Sequence, residues 1–417
     1  MDTGHAEPLE TTAKKNWYTR VPLYIKIIIA LVLGAILGLI APGQGWDMEK
    51  LKWISDLVLR MLRTLATPLI FSAVLGSIIG ANITGKKAGR LMWLLISNSV
   101  VAIVIGLVVA NVLQPGQHLR DHMTQGAASN KEPYNLWQHL FDSIPSDFIT
   151  PFQKNDIISI LVLAIALGCA MRILLHSSNE QVSRSVRSLQ NVLNALFQIV
   201  ITVLKWVFEL VPLAVFAVVA RVVGSGGLGK LAAMGYWIGS VVTALALMMA
   251  FYLIRMMISS KTKPGDFLRG GSDAFAMAFS TASSAATLPV TYRCATDKLG
   301  IRPDNANMGI MVGGTFNHDG TALYEAMAAL LIAQGLGQHL NISQQIVVVL
   351  MAIIASVGAA GIPEAGLVTM IAVFHAVNLP IEYIPMLLTV DWFLDRCRTT
   401  INVMGDMAST CILDAKD

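Results

Sequence analysis

The sequence predicts an all-α polytopic membrane protein, and three observations carry that reading. Hydrophobic residues make up 55% of the 417 positions and charged residues only 13%, about half the charge content of a soluble domain. Six apolar runs, at about 21–41, 53–80, 91–113, 157–175, 190–223 and 231–258, are mostly long enough to cross a bilayer as helices of about 20 residues. Basic clusters recur at their ends: Lys14, Lys15 and Arg20; Lys86, Lys87 and Arg90; Arg184 and Arg187; Lys261, Lys263 and Arg269. If the runs alternate in direction, these clusters share one side, and the positive-inside rule puts the N-terminus in the cytoplasm. The polar stretch 114–156 then falls outside. The clusters act as topology signals; a net charge of +4 gives no sign of a nucleic-acid partner.

The polar segment 1–16, with Asp2, Glu7 and Glu10 and no small-residue cleavage site, is expected as a cytoplasmic tail rather than a signal peptide. Residues 17–258 are expected to hold six transmembrane helices. The second carries Asp56, Arg60 and Arg63 at its start and Pro68 inside; its length predicts tilt or extension beyond the bilayer. The stretch Gly80 to Lys87 nearly matches a phosphate loop. It lacks a Ser or Thr after the lysine and follows an apolar helix rather than a strand, so it is expected as a loop. After Pro264 the segments shorten and break. A hairpin at 266–298 is interrupted by Ser280-Thr-Ala-Ser283-Ser284-Ala-Ala-Thr287-Leu-Pro289. A seventh helix at 303–337 is broken by Gly313-Gly314-Thr315-Phe-Asn317-His318-Asp319-Gly320-Thr321. A second hairpin at 342–378 is interrupted from Ser356 to Gly366, and an eighth helix fills 382–413. Neither half of a hairpin alone spans a bilayer, so both are expected as re-entrant, and their matching positions suggest an inverted repeat. Broken backbone at membrane depth is tolerated inside protein or beside a cavity, where its carbonyls can hold a hard cation. Residues 259–417 therefore read as the working part. Cys169, Cys294, Cys397 and Cys411 show no metal-ligand or disulfide spacing.

The last helix carries the chemistry. Asp391, Asp395, Arg398, Asn402 and Asp406 step by four, three, four and four residues and so form one polar stripe. Charges at bilayer depth face a cavity, a partner or an ion. A stripe of both signs can hold an ammonium, a carboxylate and a metal cation, as a zwitterionic solute moving with ions requires. A guanidinium binds a carboxylate as a planar fork, and Asp395 supplies the opposite charge one turn earlier. Plainer roles stand beside these: Asp395 and Arg398 as a structural ion pair, Ser283 and Ser284 as helix caps, His318 as a satisfied polar residue, Glu325 paired with Arg396 or Arg398, and Glu364 solvated at a hairpin tip.

The stripe, the Ser-rich tip, Asn317 to Thr321, Ala360-Gly-Ile-Pro-Glu-Ala-Gly366 and the second-helix stretch Arg60 to Phe71 together resemble the glutamate transporter family. These are dicarboxylate/amino acid:cation symporters, among them the excitatory amino acid transporters. The resemblance implies a homotrimer in the lipid bilayer, an elevator mechanism, and a scaffold drawn mainly from the first six helices, with helices 3 and 6 moving with the transport domain. It implies an acidic amino acid as substrate, with Arg398 on its side-chain carboxylate and Asp395 on its amino group. Ser284 and Thr321 would meet its main-chain carboxylate, with Ser283, Ile362, Gly366, Thr399 and Asn402 completing the set. It implies Na⁺ at three sites: Gly313, Asn317, Asn402 and Asp406; then Thr315, His318, Ser356, Val357 and Ala359; then Asp319 with Asn98 and Ser99. Glu325 matches the glutamate that carries H⁺ and serves a K⁺-coupled return, while Arg396 and Asp391 compensate charge. The second hairpin would be the gate.

The chain departs from the family pattern at His318, where Met or Leu is usual, at Leu95, where sodium-coupled members often have Tyr, and at Glu364, where Gly or Gln is usual. Ala282 replaces a hairpin arginine of archaeal members, and Arg396 supplies that charge from the last helix. His318 and Leu95 keep open a proton-only symporter of the same fold, for glutamate, aspartate or a dicarboxylate. A channel is the rival from another class. An enzyme is not expected: the Asp391/Asp395 spacing is poor evidence for an aspartyl pair, and His-Glu-x-x-His and Gly-x-Ser-x-Gly are absent. A multi-pass protein of a bacterial inner membrane is expected.

Overall fold

The computed structural model describes residues 21–80, 85–122, 144–154, 156–226, 229–357, 361 and 364–415. The expected tail 1–16 and the site residues Ala359 and Ile362 lie outside them. The described residues are mostly helical and contain no strand. The α-helices are α1 Leu23–Ile40, α2 Lys52–Gly80, α3 Gly85–Leu113, α4 Thr150–Lys154, α5 Ile157–Leu175, α6 Glu180–Phe208, α7 Val211–Gly226 and α8 Gly229–Ser259. They continue with α9 Pro264–Thr281, α10 Ser284–Arg293, α11 Pro303–Ala306, α12 Val312–Phe316, α13 Asp319–Gly335, α14 Ile342–Val357, α15 Ala365–Ala376 and α16 Ile384–Asp414.

Six stretches among the described residues are long and apolar enough to cross a membrane: Leu23–Gln44, Met48–Gly80, Gly89–Leu113, Ile158–Leu175, Glu180–Phe208 and Ala233–Ser259. They differ from the six expected runs at one point. The run 190–223 is two helices: α6 begins at Glu180, capped by the Asn179 side chain, and the chain turns at Glu209 and Leu210 before α7. Periodicity missed the break because apolar residues continue on both sides of Glu209. Gly85, Lys86 and Lys87, expected in a loop, instead open α3.

Small residues set the closest helix contacts. Gly34 and Gly38 lie one turn apart on α1, and α1 packs along α7. A Cβ on Gly34 would sit 2.7 Å from the Phe216 carbonyl oxygen, and one on Gly38 2.8 Å from that of Ala220. Backbones approach this closely only across glycine, the usual device of membrane helix pairs. The Nζ of Lys26 donates to Glu209 Oε2 at 2.6 Å beside this contact. The opposite side of α1 exposes Ile28, Ile29, Val32, Leu33, Ile36 and Leu39, as a lipid-facing helix would.

The core is built on α13 and α16. Every residue of α13 except Gln334 is buried, so this helix is enclosed by protein on all sides, its Asp319, Thr321 and Glu325 included. It packs on α3, α14, α15 and α16, and α16 also meets α7, α8 and α9. The breaks expected after Pro264 are all present. Two helices flank Ala282 and Ser283, two flank Asn317 and His318, and α14 and α15 flank the segment containing Gly361 and Glu364.

Candidate functional site

The break at Asn317 and His318 follows from sequence. Gly313 and Gly314 weaken helix propagation, and Asn317 leaves it with φ −99° and ψ 90°. This turn carries the Asn317 amide against α16, where its Nδ2 donates to Asp406 Oδ1 at 3.0 Å. It also reaches the Asn402 carbonyl oxygen at 3.4 Å. The Gly313 backbone lies so close that a Cβ there would be 2.7 Å from Asp406 Oδ1, so a side chain at 313 would displace that carboxylate. Asn317 Oδ1 is buried without a hydrogen-bond partner. Among the described residues no cation pairs with Asp406, which is 1% exposed. A buried carboxylate met only by an amide, with an orphaned amide oxygen beside it, fits a hard cation. Gly313, Asn317, Asn402 and Asp406, expected as one sodium site, are thus brought together.

One turn and more towards the start of α16 the arrangement differs. The fully buried guanidinium of Arg398 donates to Asp391 Oδ1 at 2.7 Å and Oδ2 at 3.3 Å, and to Asp395 Oδ1 at 2.7 Å. It lies over the Tyr324 ring, 4.0 Å from the centroid, a cation–π contact in a desolvated setting. Arg398 Nε has no partner. Asp395 Oδ2 accepts the Glu364 backbone N–H at 2.8 Å. Gly366 leaves the room that a Cβ would take 3.1 Å from Thr321 Cγ2 and 3.6 Å from Arg398 Nη2. Thr321, Thr399, Ser284, Asp395 and Arg398 are all buried. The ion pair of the plainer reading is therefore present, and it is made by the same residues that were expected to meet a substrate.

Asn402 joins the two ends. Its Oδ1 accepts the Gly320 N–H at 2.8 Å, and its Nδ2 reaches Thr321 Oγ1 at 3.4 Å. The tips of the two broken segments also touch. Ser283 caps α10 by accepting the Ala286 N–H at 3.2 Å, while its hydroxyl donates to the Gly361 carbonyl oxygen at 2.9 Å. That oxygen also accepts the Ala285 N–H at 3.2 Å.

Other expected residues behave differently. Ser356 donates within its own helix, to Ile353 at 2.9 Å, and Thr315 to Met311 at 3.0 Å. Thr315 is exposed along a cleft also lined by Ser72, Gly76 and Asn194, although α12 packs on the helix that ends at Val357. Both ring nitrogens of buried His318 lack a partner, so its reading as a satisfied polar residue does not hold. Glu325 pairs with neither arginine: the Thr369 hydroxyl donates to its Oε1 at 2.5 Å, and its Oε2 has no partner. Glu364, expected to be solvated, is 5% exposed with Oε2 unpartnered; its left-handed backbone, φ 59°, turns it inward. Arg396 instead caps the end of α9, donating to the Phe279 and Ser280 carbonyl oxygens at 2.8 and 2.5 Å.

Four contributors escaped the sequence reading: Tyr252, Arg255, Tyr324 and Thr369. Tyr252 donates to Asp319 Oδ2, and Ser99 to Oδ1, each at 2.5 Å. Arg255 donates to Asn98 Oδ1. Arg255 is the one charged residue between 231 and 258, which was signal enough to find it.

These features, a broken helix packed against a buried charged one, agree with comparison to known proteins. The model of the sodium:dicarboxylate symporter family matches residues 23–416. An excitatory amino acid transporter of Caenorhabditis elegans is 28% identical, with 94% of this chain and 87% of the relative covered. A C4-dicarboxylate transport protein of Rhodospirillum rubrum is 29% identical over the same shares. Excitatory amino acid transporter 2 of Rattus norvegicus is 30% identical over 91% of this chain and 75% of its own length. With nearly its whole described length matched, breaks and stripe included, the chain belongs to the sodium:dicarboxylate symporter family.

Proposed function

We propose that this protein is a secondary symporter of acidic amino acids, glutamate or aspartate, driven by inward Na⁺ with a proton carried on Glu325. It works as a homotrimeric elevator of eight transmembrane helices and two re-entrant hairpins. α1, α2 and α5 to α7 form most of the scaffold, and residues 259–417 move with α3 and α8.

The observation that carries the reading is the buried Asp391–Arg398–Asp395 cluster beneath the joined tips. A substrate with two carboxylates and one ammonium can take the guanidinium and Asp395 together. A dicarboxylate without an amine leaves Asp395 short of a cation, which is costly in a dry pocket. That weighs for the amino acid over the C4-dicarboxylates named for one relative. Sodium is supported by the Asp406 carboxylate, met by an amide and by no cation among the described residues, and by the orphaned Asn317 oxygen. The proton is supported by the half-satisfied, fully buried Glu325, because a proton there removes the cost of a lone buried charge.

The test is uptake of labelled L-aspartate and L-glutamate into proteoliposomes, with an inward Na⁺ gradient imposed or replaced by choline at fixed pH. Saturable, Na⁺-dependent accumulation is expected. Uptake that ignores Na⁺ and follows a pH gradient moves the reading to proton coupling. Current without saturable uptake moves it to a channel.

A further inference from the structure

A second polar cluster lies between α3, α8 and the start of α13, away from the substrate end of α16. Its acceptors are already engaged. Both carboxylate oxygens of Asp319, a residue with no exposure, take hydroxyl donors, Oδ1 from Ser99 and Oδ2 from Tyr252, at 2.5 Å each. The side-chain oxygen of Asn98 takes the guanidinium of Arg255. Asn98 Nδ2 donates in turn to Ser409 Oγ at 3.0 Å. The second arm of Arg255 donates to Ser97 Oγ at 2.8 Å, and its first arm also reaches the Leu94 carbonyl oxygen at 3.4 Å. Leu95 packs instead with Leu91 and Leu413, and its side chain offers no oxygen.

Tyr252 and Arg255 are three residues apart on α8 and so lie on one helix face. From that face Tyr252 reaches Asp319 while Arg255 reaches Asn98 and Ser97. The guanidinium is a permanent cation in any protein setting, and its fork holds oxygens in place more firmly than a mobile ion. A sodium ion needs several oxygen lone pairs converging on it from about 2.4 Å. Here those lone pairs face N–H and O–H donors, and a fixed positive charge stands beside them. The contrast with Asp406, which has an orphaned amide oxygen beside it and no cation paired with it among the described residues, is direct.

We infer that Arg255 and Tyr252 stand in for a transported cation at Asn98, Ser99 and Asp319, so that this symporter carries one sodium ion fewer per cycle than its carboxylates suggest. The inference rests on the sodium-coupled reading above, and it concerns stoichiometry rather than substrate. It makes Arg255 a residue that fixes how steeply uptake follows the sodium gradient.

The test counts ions without requiring transport: equilibrium binding of radioactive Na⁺ to the purified full chain at saturating Na⁺, with choline balancing ionic strength. The double variant Arg255→Gln with Tyr252→Phe is expected to bind one more Na⁺ per protomer than the wild type. Arg255→Lys, which keeps the charge, is expected to match the wild type. Equal counts for the wild type and the double variant overturn the inference. If the double variant fails to fold, Asp319→Asn in the wild-type background decides. An unchanged count supports the inference, and loss of one Na⁺ overturns it. Absence of acidic amino acid uptake would refute the substrate reading while leaving this count intact, so the two failures are distinguishable.

Discussion

Two carboxylates on α16, eleven positions apart in sequence, live in opposite surroundings. Asp395 faces a guanidinium and a backbone N–H. Asp406 is also buried and, among the described residues, its carboxylate accepts only the Asn317 amide. Both lie on a helix whose neighbours exclude water, so each charge must be compensated locally. At Asp395 the protein supplies the compensation itself, and a ligand must trade places with Arg398 contacts to bind. At Asp406 compensation has to come from outside. On the function proposed above, one helix separates a site for an organic zwitterion from a site for a bare cation by whether a covalently attached cation is within reach.

The largest effect should follow from erasing that difference. In Arg398→Ala the buried carboxylates Asp391 and Asp395 lose their shared partner. Breaking a buried pair costs about 3–5 kcal/mol, and the substrate's second carboxylate also loses its fork. Uptake of L-glutamate at low concentration is expected to fall at least ~100-fold, at about 1.4 kcal/mol per tenfold change, while some neutral amino acid binding remains. Arg398→Lys should recover little, since an ammonium cannot make the bidentate contact. Undiminished glutamate uptake by the alanine variant would refute the pairing.

The cation end should respond differently. Asp406→Asn keeps shape and most hydrogen bonding but removes the charge. One charge-assisted contact is worth about 1.5–3 kcal/mol, so the Na⁺ concentration giving half-maximal uptake should rise about tenfold or more, with maximal rate affected less. An unchanged sodium dependence would sink the cation reading of that end. Asn402 bridges the two regions through the Gly320 N–H and Thr321. In Asn402→Ala the factor by which Na⁺ raises substrate affinity should shrink about tenfold, within the ~1–3 kcal/mol usual for coupled sites. Isothermal titration with aspartate, at low and high Na⁺, measures that factor. A factor as large as in the wild type would show that the ends communicate by another route.

How much of this was legible in sequence depends on distance along the chain. The stripe on α16 was, because residues three and four apart on a helix share a face, and the helix breaks were, because Gly, Ser, Asn and Pro mark them locally. The contact between Ser283 and Gly361, 78 positions apart, was not, since no local pattern encodes it. Nor was the engagement of Asp319 by Tyr252, whose donor lies 67 positions away in an apolar run. Arg255, the one charge between 231 and 258, was overlooked, although a lone charge in an apolar run was there to be read. Glu364 was misjudged for a related reason. A carboxylate at a Gly- and Pro-rich tip looks solvent-bound, and only the left-handed backbone at φ 59° and the bond from its N–H to Asp395 turn it inward.

Glu364 supplies the smallest and sharpest test of the comparison. Its backbone N–H compensates Asp395 while its side chain adds a third buried carboxylate near one guanidinium. An ionised Glu364 leaves this end with more negative charge than Arg398 alone offsets, which favours an ammonium and opposes an acidic side chain. Glu364→Gln preserves the N–H, the length and the tip conformation and removes only the charge. For an effective dielectric constant between about 20 and about 60, a charge about 6 Å away acts with roughly 1–3 kcal/mol, of which the lower end is about fivefold in affinity. The KM for L-glutamate should then fall about fivefold, while that for a neutral amino acid such as L-serine stays constant or rises. Initial rates across a substrate series at fixed Na⁺ measure both. A fall for both substrates alike would mean that the residue acts through the gate, by loosening or tightening the tip, and a constant KM for glutamate would mean that its charge is not felt where the substrate binds. Only the selective fall ties the Glu364 carboxylate to the balance of charge around Arg398.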